Sequence, residues 1–178
     1  MLNVSELLQI ELDEELQITR AMLARVPMDK RDWKPHGKSM SLGRLAVHLT
    51  EIPSWTSMMI LMNEFTLDMA NYKPATAETG AELMKLFDGS VATAKVEMAK
   101  LHDGMLEKNW KMFVNGAVVV DATKYEVIRR WVINHIVHHR AQLGVYLRLL
   151  NVAIPITYGS SADEMPGSKR SSDETMKA

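Results

Sequence analysis

Four segments of this chain carry apolar residues three and four positions apart, and none of them can bury its apolar face alone. In the first, Leu7, Leu8, Leu12, Leu16, Ile18, Met22 and Leu23 recur at roughly helical spacing. Acids come early in it and Arg20 and Arg25 late, the order that suits a helix dipole, and Pro27 lies just past the end. The spacing predicts a helix over residues 4–25. Ser41 can cap a second helix, reaching residue 62 through Leu42, Leu45, Leu49, Ile52, Met59 and Met62, with a kink at Pro53. A third is expected over 78–101, with Leu83, Leu86, Phe87, Val91, Ala94 and Met98. The fourth begins at Asp121 or Thr123 and reaches Leu150 through Val127, Ile128, Trp131, Ile133, Ile136, Leu143, Tyr146 and Leu147. Packing such segments together gives an all-α fold, a four-helix bundle.

Residues 27–40 read as a polar loop with two prolines and a glycine, and 63–76 as a second connection. The stretch 104–122 has a different texture. Trp110, Met112 and Val114 alternate with other residues, then Asn115-Gly116 precedes three valines. Asn-Gly suits a type I′ turn, so a short β-hairpin is expected before the last helix. Residues 155–178 are rich in Pro, Gly and Ser and are expected to form an extended, partly disordered arm beside a single domain over 1–154.

The charge balance narrows the partners. With 21 basic and 22 acidic side chains, the chain lacks the excess of Lys and Arg that phosphate binding needs, so no nucleic-acid partner is expected. No run of about eighteen apolar residues appears, so no membrane span is expected. The acidic, helix-like start lacks the parts of a signal peptide, and a cytoplasmic location follows as the expectation.

Cysteine is absent. Disulfides, Cys-rich zinc sites and a protein thiol nucleophile are therefore excluded, and any metal must be held by His and carboxylate. Three of the six histidines fall in one run of the fourth helix, His135, His138 and His139. Residues four apart share a helix face, so His135 and His139 can point at one ion, while His138 is rotated about one hundred degrees away. His48 lies mid-helix on the apolar face beside Leu45 and Leu49, where a buried polar ring needs a reason, and is the natural third donor. A hydrogen-bonded core histidine is the alternative for each of them. His36, in a loop, and His102, near a helix end, are expected to be solvated.

Three neutral imidazoles would hold one divalent ion, Zn or Ni foremost, and leave positions open for water or substrate. Such an ion lets a bound water or thiol ionise near neutral pH. Glu51, three residues after His48, reads as a solvated side chain. Arg140 and Gln142 are open between support of the site and an interhelical hydrogen bond or surface ion pair, and of the two only Gln142 could accept an imidazole proton. Trp33, Trp55 and Tyr158 are open between walling a pocket near the ion and plain packing.

The sequence resembles the DinB/YfiT-like superfamily of bundle proteins. The likeness runs through Trp33-Lys34-Pro35-His36, then Lys38-Ser39-Met40-Ser41-Leu42-Gly43, then Leu45-Ala46-Val47-His48-Leu49 with Ile52-Pro53-Ser54-Trp55. It continues through Asn134-His135-Ile136-Val137-His138-His139-Arg140-Ala141-Gln142-Leu143 and the tail Pro155-Ile156-Thr157-Tyr158-Gly159-Ser160-Ser161-Ala162-Asp163-Glu164. Ala141 stands where Gly is common in the superfamily, and Ser160 where Pro is frequent. The resemblance implies an up-down-down-up four-helix bundle, usually a homodimer, with a three-His site at His48, His135 and His139. It also implies thiol chemistry, a low-molecular-weight thiol and an electrophilic substrate meeting at the ion.

Three activities share that ligand set: a metal-dependent thiol transferase, a non-catalytic stress-response or metal-binding dimer, and a metal-assisted hydrolase. The transferase is the leading expectation, and the missing cysteine is compatible with it because the cosubstrate brings its own sulfur.

Overall fold

The computed structural model describes residues 2–165. Helix α1 spans Val4–Leu23 and is capped reciprocally: the Asn3 side chain accepts from the Glu6 N–H, and the Glu6 carboxylate accepts from the Asn3 N–H, both at 2.9 Å. Its buried stripe is Leu8, Leu12, Leu16 and Leu23. A short 3₁₀ turn, Met28–Lys30, lies in the loop that follows. That loop clasps the start of α2 (Leu42–Glu51), because the Gly43 N–H donates to the Arg31 carbonyl at 2.8 Å. A Cβ at position 43 would lie 2.8 Å from the Arg31 Cβ, so only glycine permits the approach.

Ser41 caps α2 as expected, its hydroxyl accepting from the Arg44 N–H. Pro53 falls in a 3₁₀ turn, Ile52–Ser54, which joins α2 to α3 (Trp55–Leu61). A proline has no N–H to give an α-helix interior, so the expected kink becomes a tighter turn here. Helix α4 (Gly80–Met98) starts from a Thr79 cap. A one-turn helix α5 covers Asp103–Leu106. Thr123 and Glu126 form a second capping box at α6 (Lys124–Ile128). A π turn, Arg129–Ile133, then runs directly into α7 (Asn134–Leu149).

Helix α4 packs on α2 and α3, α2 on α7, α7 on α1, and α1 on α4. With α2 and α3 taken as one segment, these contacts close a ring whose centre holds Leu16, Leu45, Leu49, Leu83, Phe87, Ile136 and Leu143, each at most 3% exposed. Burying a side chain of that size contributes about 1.5–3 kcal/mol, so this shared interior rather than helix propensity holds the segments together.

The fold is helix-rich but not all-α. Strands β1 (Glu64–Leu67), β2 (Asn109–Val114) and β3 (Ala117–Thr123) form a sheet in that order. The expected hairpin is present: β2 and β3 are antiparallel, and Asn115 and Gly116 take the positive φ values, 51° and 80°, that a type I′ turn requires. The third strand is the correction. β1 lies in a segment read as connection, and it runs parallel to β2 with Glu64 opposite Lys111. Four residues that are half in and half out of the surface carry no local strand signal, and their partner lies more than forty residues further along the chain. Two contacts fix the sheet to the helices. Trp110 is buried, its indole donating to the Met58 carbonyl at 3.4 Å, and the buried Lys124 ammonium donates to the Ile60 and Met62 carbonyls at 2.8 Å each.

Residues 155–165 form neither helix nor strand. They are nonetheless tied down: Arg25 pairs with Glu164 at 2.6 Å, Arg148 with Asp163 at 2.5 Å, and the Ile154 N–H donates to Asp163 at 2.9 Å. The rest of the arm expected to be disordered, 166–178, lies outside the described residues. Among the described residues no helix is long and apolar enough to cross a membrane.

Candidate metal centre

Helix α2 brings one of its faces against α7, and three imidazoles meet at that contact. His48 Nε2 lies 3.2 Å from His135 Nε2, and His139 Nε2 lies 2.8 Å from the same atom. One ring nitrogen from each residue falls within 4.8 Å of the other two. The sequence-expected trio is thus brought together, from two segments 87 residues apart. At a metal–nitrogen bond of about 2.0–2.1 Å, tetrahedral ligand atoms stand roughly 3.3 Å apart. The two spacings at His135 Nε2 come close to that edge and the third pair of nitrogens lies within 4.8 Å, so the three rings could close on one ion with small adjustments. Three nitrogens would leave coordination positions for other ligands.

Two of the rings are held from behind. His48 Nδ1 lies 3.3 Å from Glu51 Oε2, and His139 Nδ1 lies 2.8 Å from Gln142 Oε1. Glu51 corrects its expectation as a solvated side chain, since only 15% of it is exposed. Its charge is met by the Arg44 guanidinium at 2.9 Å and by the Ala75 N–H at 3.0 Å. Three positions after His48, it shares that ring's helix face, and these two donors make the inward rotamer stable. Gln142 takes the accepting role open to it. Among the described residues no hydrogen-bond partner reaches Nδ1 of His135.

Burial pushes the His135 imidazole down to about 4, helped by the neighbouring His139, His48 and His138 rings. Burial also lowers His139, against a smaller opposing effect of its hydrogen bond to Gln142. Both rings are therefore neutral at neutral pH, the form with a lone pair to offer a cation. For Glu51 burial acts upward, but hydrogen bonds from His48 and Arg44, with the Arg44 charge and the Ala75 N–H, outweigh it and leave the carboxyl below its ordinary range.

The remaining expected residues divide cleanly. Trp55 stands edge-on to both His48 (centroids 5.6 Å apart) and His135 (5.5 Å), so it does border the centre. Trp33 instead packs edge-on against Tyr146 at 5.6 Å. Tyr158 donates to the Glu15 carboxylate at 2.8 Å and is met by Arg140, so it serves the arm rather than the imidazoles. Arg140 is buried and turned toward α1, where it donates to the Glu15 carbonyl and the Thr19 hydroxyl at 3.0 Å each. That is its interhelical alternative. His138 is exposed and His36 and His102 lie outside the cluster, as expected.

One neighbour was not anticipated. Trp131, 37% exposed, tilts over His135 with centroids 6.1 Å apart. It belongs to the π turn, where the Asn134 N–H reaches back five residues to the Arg129 carbonyl. Such turns are rare and recur at functional sites. Periodicity read Trp131 only as part of an apolar stripe, and nothing in the local sequence announces the extra residue in the turn.

A family model described as the DinB family matches residues 1–171. Among solved structures, the chain is similar to a DinB-like protein from Bacillus subtilis, with a TM-score of 0.65 and 16% identity over 85% of this chain and 96% of that one. It is also similar to a DinB-like protein from Bacillus cereus, with a TM-score of 0.62 and 23% identity over 82% of this chain and 92% of that one. At these identities the likeness is one of fold. No curated protein matches the sequence.

Proposed function

This chain belongs to the DinB family, and from that premise we propose that it is a metal-dependent transferase which activates a low-molecular-weight thiol for attack on an electrophilic substrate. The observation that carries the reading is the convergence of His48, His135 and His139 on one point at the α2–α7 contact. These residues would hold one divalent ion, Zn or Ni, and when bound that ion lets a thiol that joins it ionise near neutral pH.

The chain's own contribution is positional. Glu51 and Gln142 hold two of the rings from behind, and Trp55 and Trp131 flank the third. The chain has no cysteine, so an attacking sulfur has to arrive with the cosubstrate. The same reading includes an up-down-down-up arrangement of the four long helical segments, a homodimer and a cytoplasmic location.

Elemental analysis of freshly purified protein, followed by a panel of small thiols and electrophiles, tests the proposal. Stoichiometric Zn or Ni and metal-dependent consumption of a thiol are expected, both reduced in His135→Ala. Metal without turnover would leave a binding protein, and turnover of esters or amides by water alone would leave a hydrolase. Protein that binds no divalent ion would end the reading altogether.

A further inference from the structure

We propose that Glu51 is the positioning residue of the centre: it accepts the Nδ1 proton of His48, fixes the tautomer whose Nε2 lone pair faces His135 and His139, and ties the segment 68–79, between β1 and α4, to that ring. The inference rests on the three-imidazole reading above and deepens it, giving Glu51 the choice of the His48 tautomer.

The geometry is one-directional. An ionised carboxylate can only accept, so the proton in the 3.3 Å contact between His48 Nδ1 and Glu51 Oε2 has to sit on the imidazole. Arg44 Nη2, which carries two protons, lies 3.5 Å from the same Nδ1 and 2.9 Å from Glu51 Oε2, and its shorter, charge-assisted contact is the one to the carboxylate. The other tautomer would set the Nδ1 lone pair against the carboxylate. It would also aim an N–H at the point where the three Nε2 atoms meet. With Nδ1 protonated, Nε2 is free to donate its lone pair, and a charged acceptor behind the ring raises its basicity.

Gln142 holds His139 in the same way but with a neutral oxygen, so the two supports differ in charge. Only Glu51 reaches beyond its own helix. Its second oxygen accepts from the Ala75 N–H at 3.0 Å, and Arg44, which pairs with it, also donates to the Tyr72 hydroxyl at 3.4 Å. One carboxylate therefore sets the ring's orientation and anchors the segment between β1 and α4.

The test uses the full chain, stripped of metal and labelled with ¹⁵N at histidine. Long-range ¹H–¹⁵N spectra report the tautomer of each ring without any ion, and Zn²⁺ affinity is measured separately by competition with a chromophoric chelator. In the wild type His48 is expected as the Nδ1–H form. In Glu51→Ala that preference should be lost and Zn²⁺ should bind about ten- to hundredfold more weakly. In Glu51→Gln, which keeps the shape and one neutral acceptor, the loss should be smaller, and this variant serves if the alanine form does not fold. A wild-type His48 carrying its proton on Nε2 would overturn the proposal. So would a Glu51→Gln or Glu51→Ala protein that binds Zn²⁺ within twofold of wild type. If the wild type binds no Zn²⁺ yet shows the Nδ1–H form that Glu51→Gln weakens, the metal reading fails and the positioning role stands.

Discussion

Arg140 and Glu15 form an ion pair of 2.5 Å across the α1–α7 contact, with 3% and 10% of the two side chains exposed. The residue beside His139 is thereby fastened to the opposite side of the fold from α2. Both terminal nitrogens of the guanidinium are engaged, by Glu15, Thr19 and the Tyr158 hydroxyl. Removing one partner leaves the other charge buried without compensation. Arg140→Ala is expected to destabilise the protein by about 3–5 kcal/mol. Urea unfolding measures it, and a loss below about 1 kcal/mol would show that the pair contributes little.

Lys124 makes a second buried anchor. Its ammonium binds the Ile60 and Met62 carbonyls at the end of α3, groups that α3 leaves unpaired when it gives way to β1. Lys124→Met keeps the stem but strands both carbonyls, at a cost of about 1–3 kcal/mol. Hydrogen exchange should quicken first around residues 60–67. Unchanged exchange there would count against the anchor.

Metal and stability are linked if the imidazole trio binds an ion. At free Zn²⁺ a hundred times its dissociation constant, the folded protein gains about 2.7 kcal/mol. Thermal unfolding should therefore shift upward with Zn²⁺ and fall back with a chelator. In His135→Ala or His48→Ala the shift should shrink or vanish. A shift of full size in both variants would place the ion elsewhere.

Acid should weaken the metal-stripped protein. His135 is held near 4, below its ordinary 6.5, and burial is the main cause. Between those values the unfolded chain binds more protons at this residue than the folded one, so stability rises with pH there. The contribution is complete above about 6.5 and disappears as pH drops toward 4. Melting temperatures across pH 7.5 to 4.5 give the slope, and His135→Gln should flatten it. An equally steep slope in that variant would assign the effect to other groups.

Much of the candidate centre is legible in the sequence. His135 and His139 share a face because they are four apart on a helix, and His48 was marked by its place on an apolar stripe. Both inferences need only helical geometry and the cost of burying a polar ring. Glu51 was misread because a residue three positions on lies at the border between core and solvent. Its direction was decided by Arg44 and by the Ala75 N–H, twenty-four residues away. Trp131 escaped for a similar reason: the π turn before α7 shifts the side chains by an amount that a regular 3.6-residue period does not contain.

The chain's own order of residues was enough for the amphipathic helices, the Ser41 cap, a last helix starting at Asp121 or Thr123, the Asn115-Gly116 turn and the absence of a protein thiol. Those depend on neighbours within one or two turns, whose interactions hold wherever the segment finally packs. Strand β1, the inward Glu51, the Arg140–Glu15 anchor and the tethered arm needed the assembled protein. Each is settled by partners distant in sequence, through pairing, desolvation and charge compensation that exist only once the helices have met.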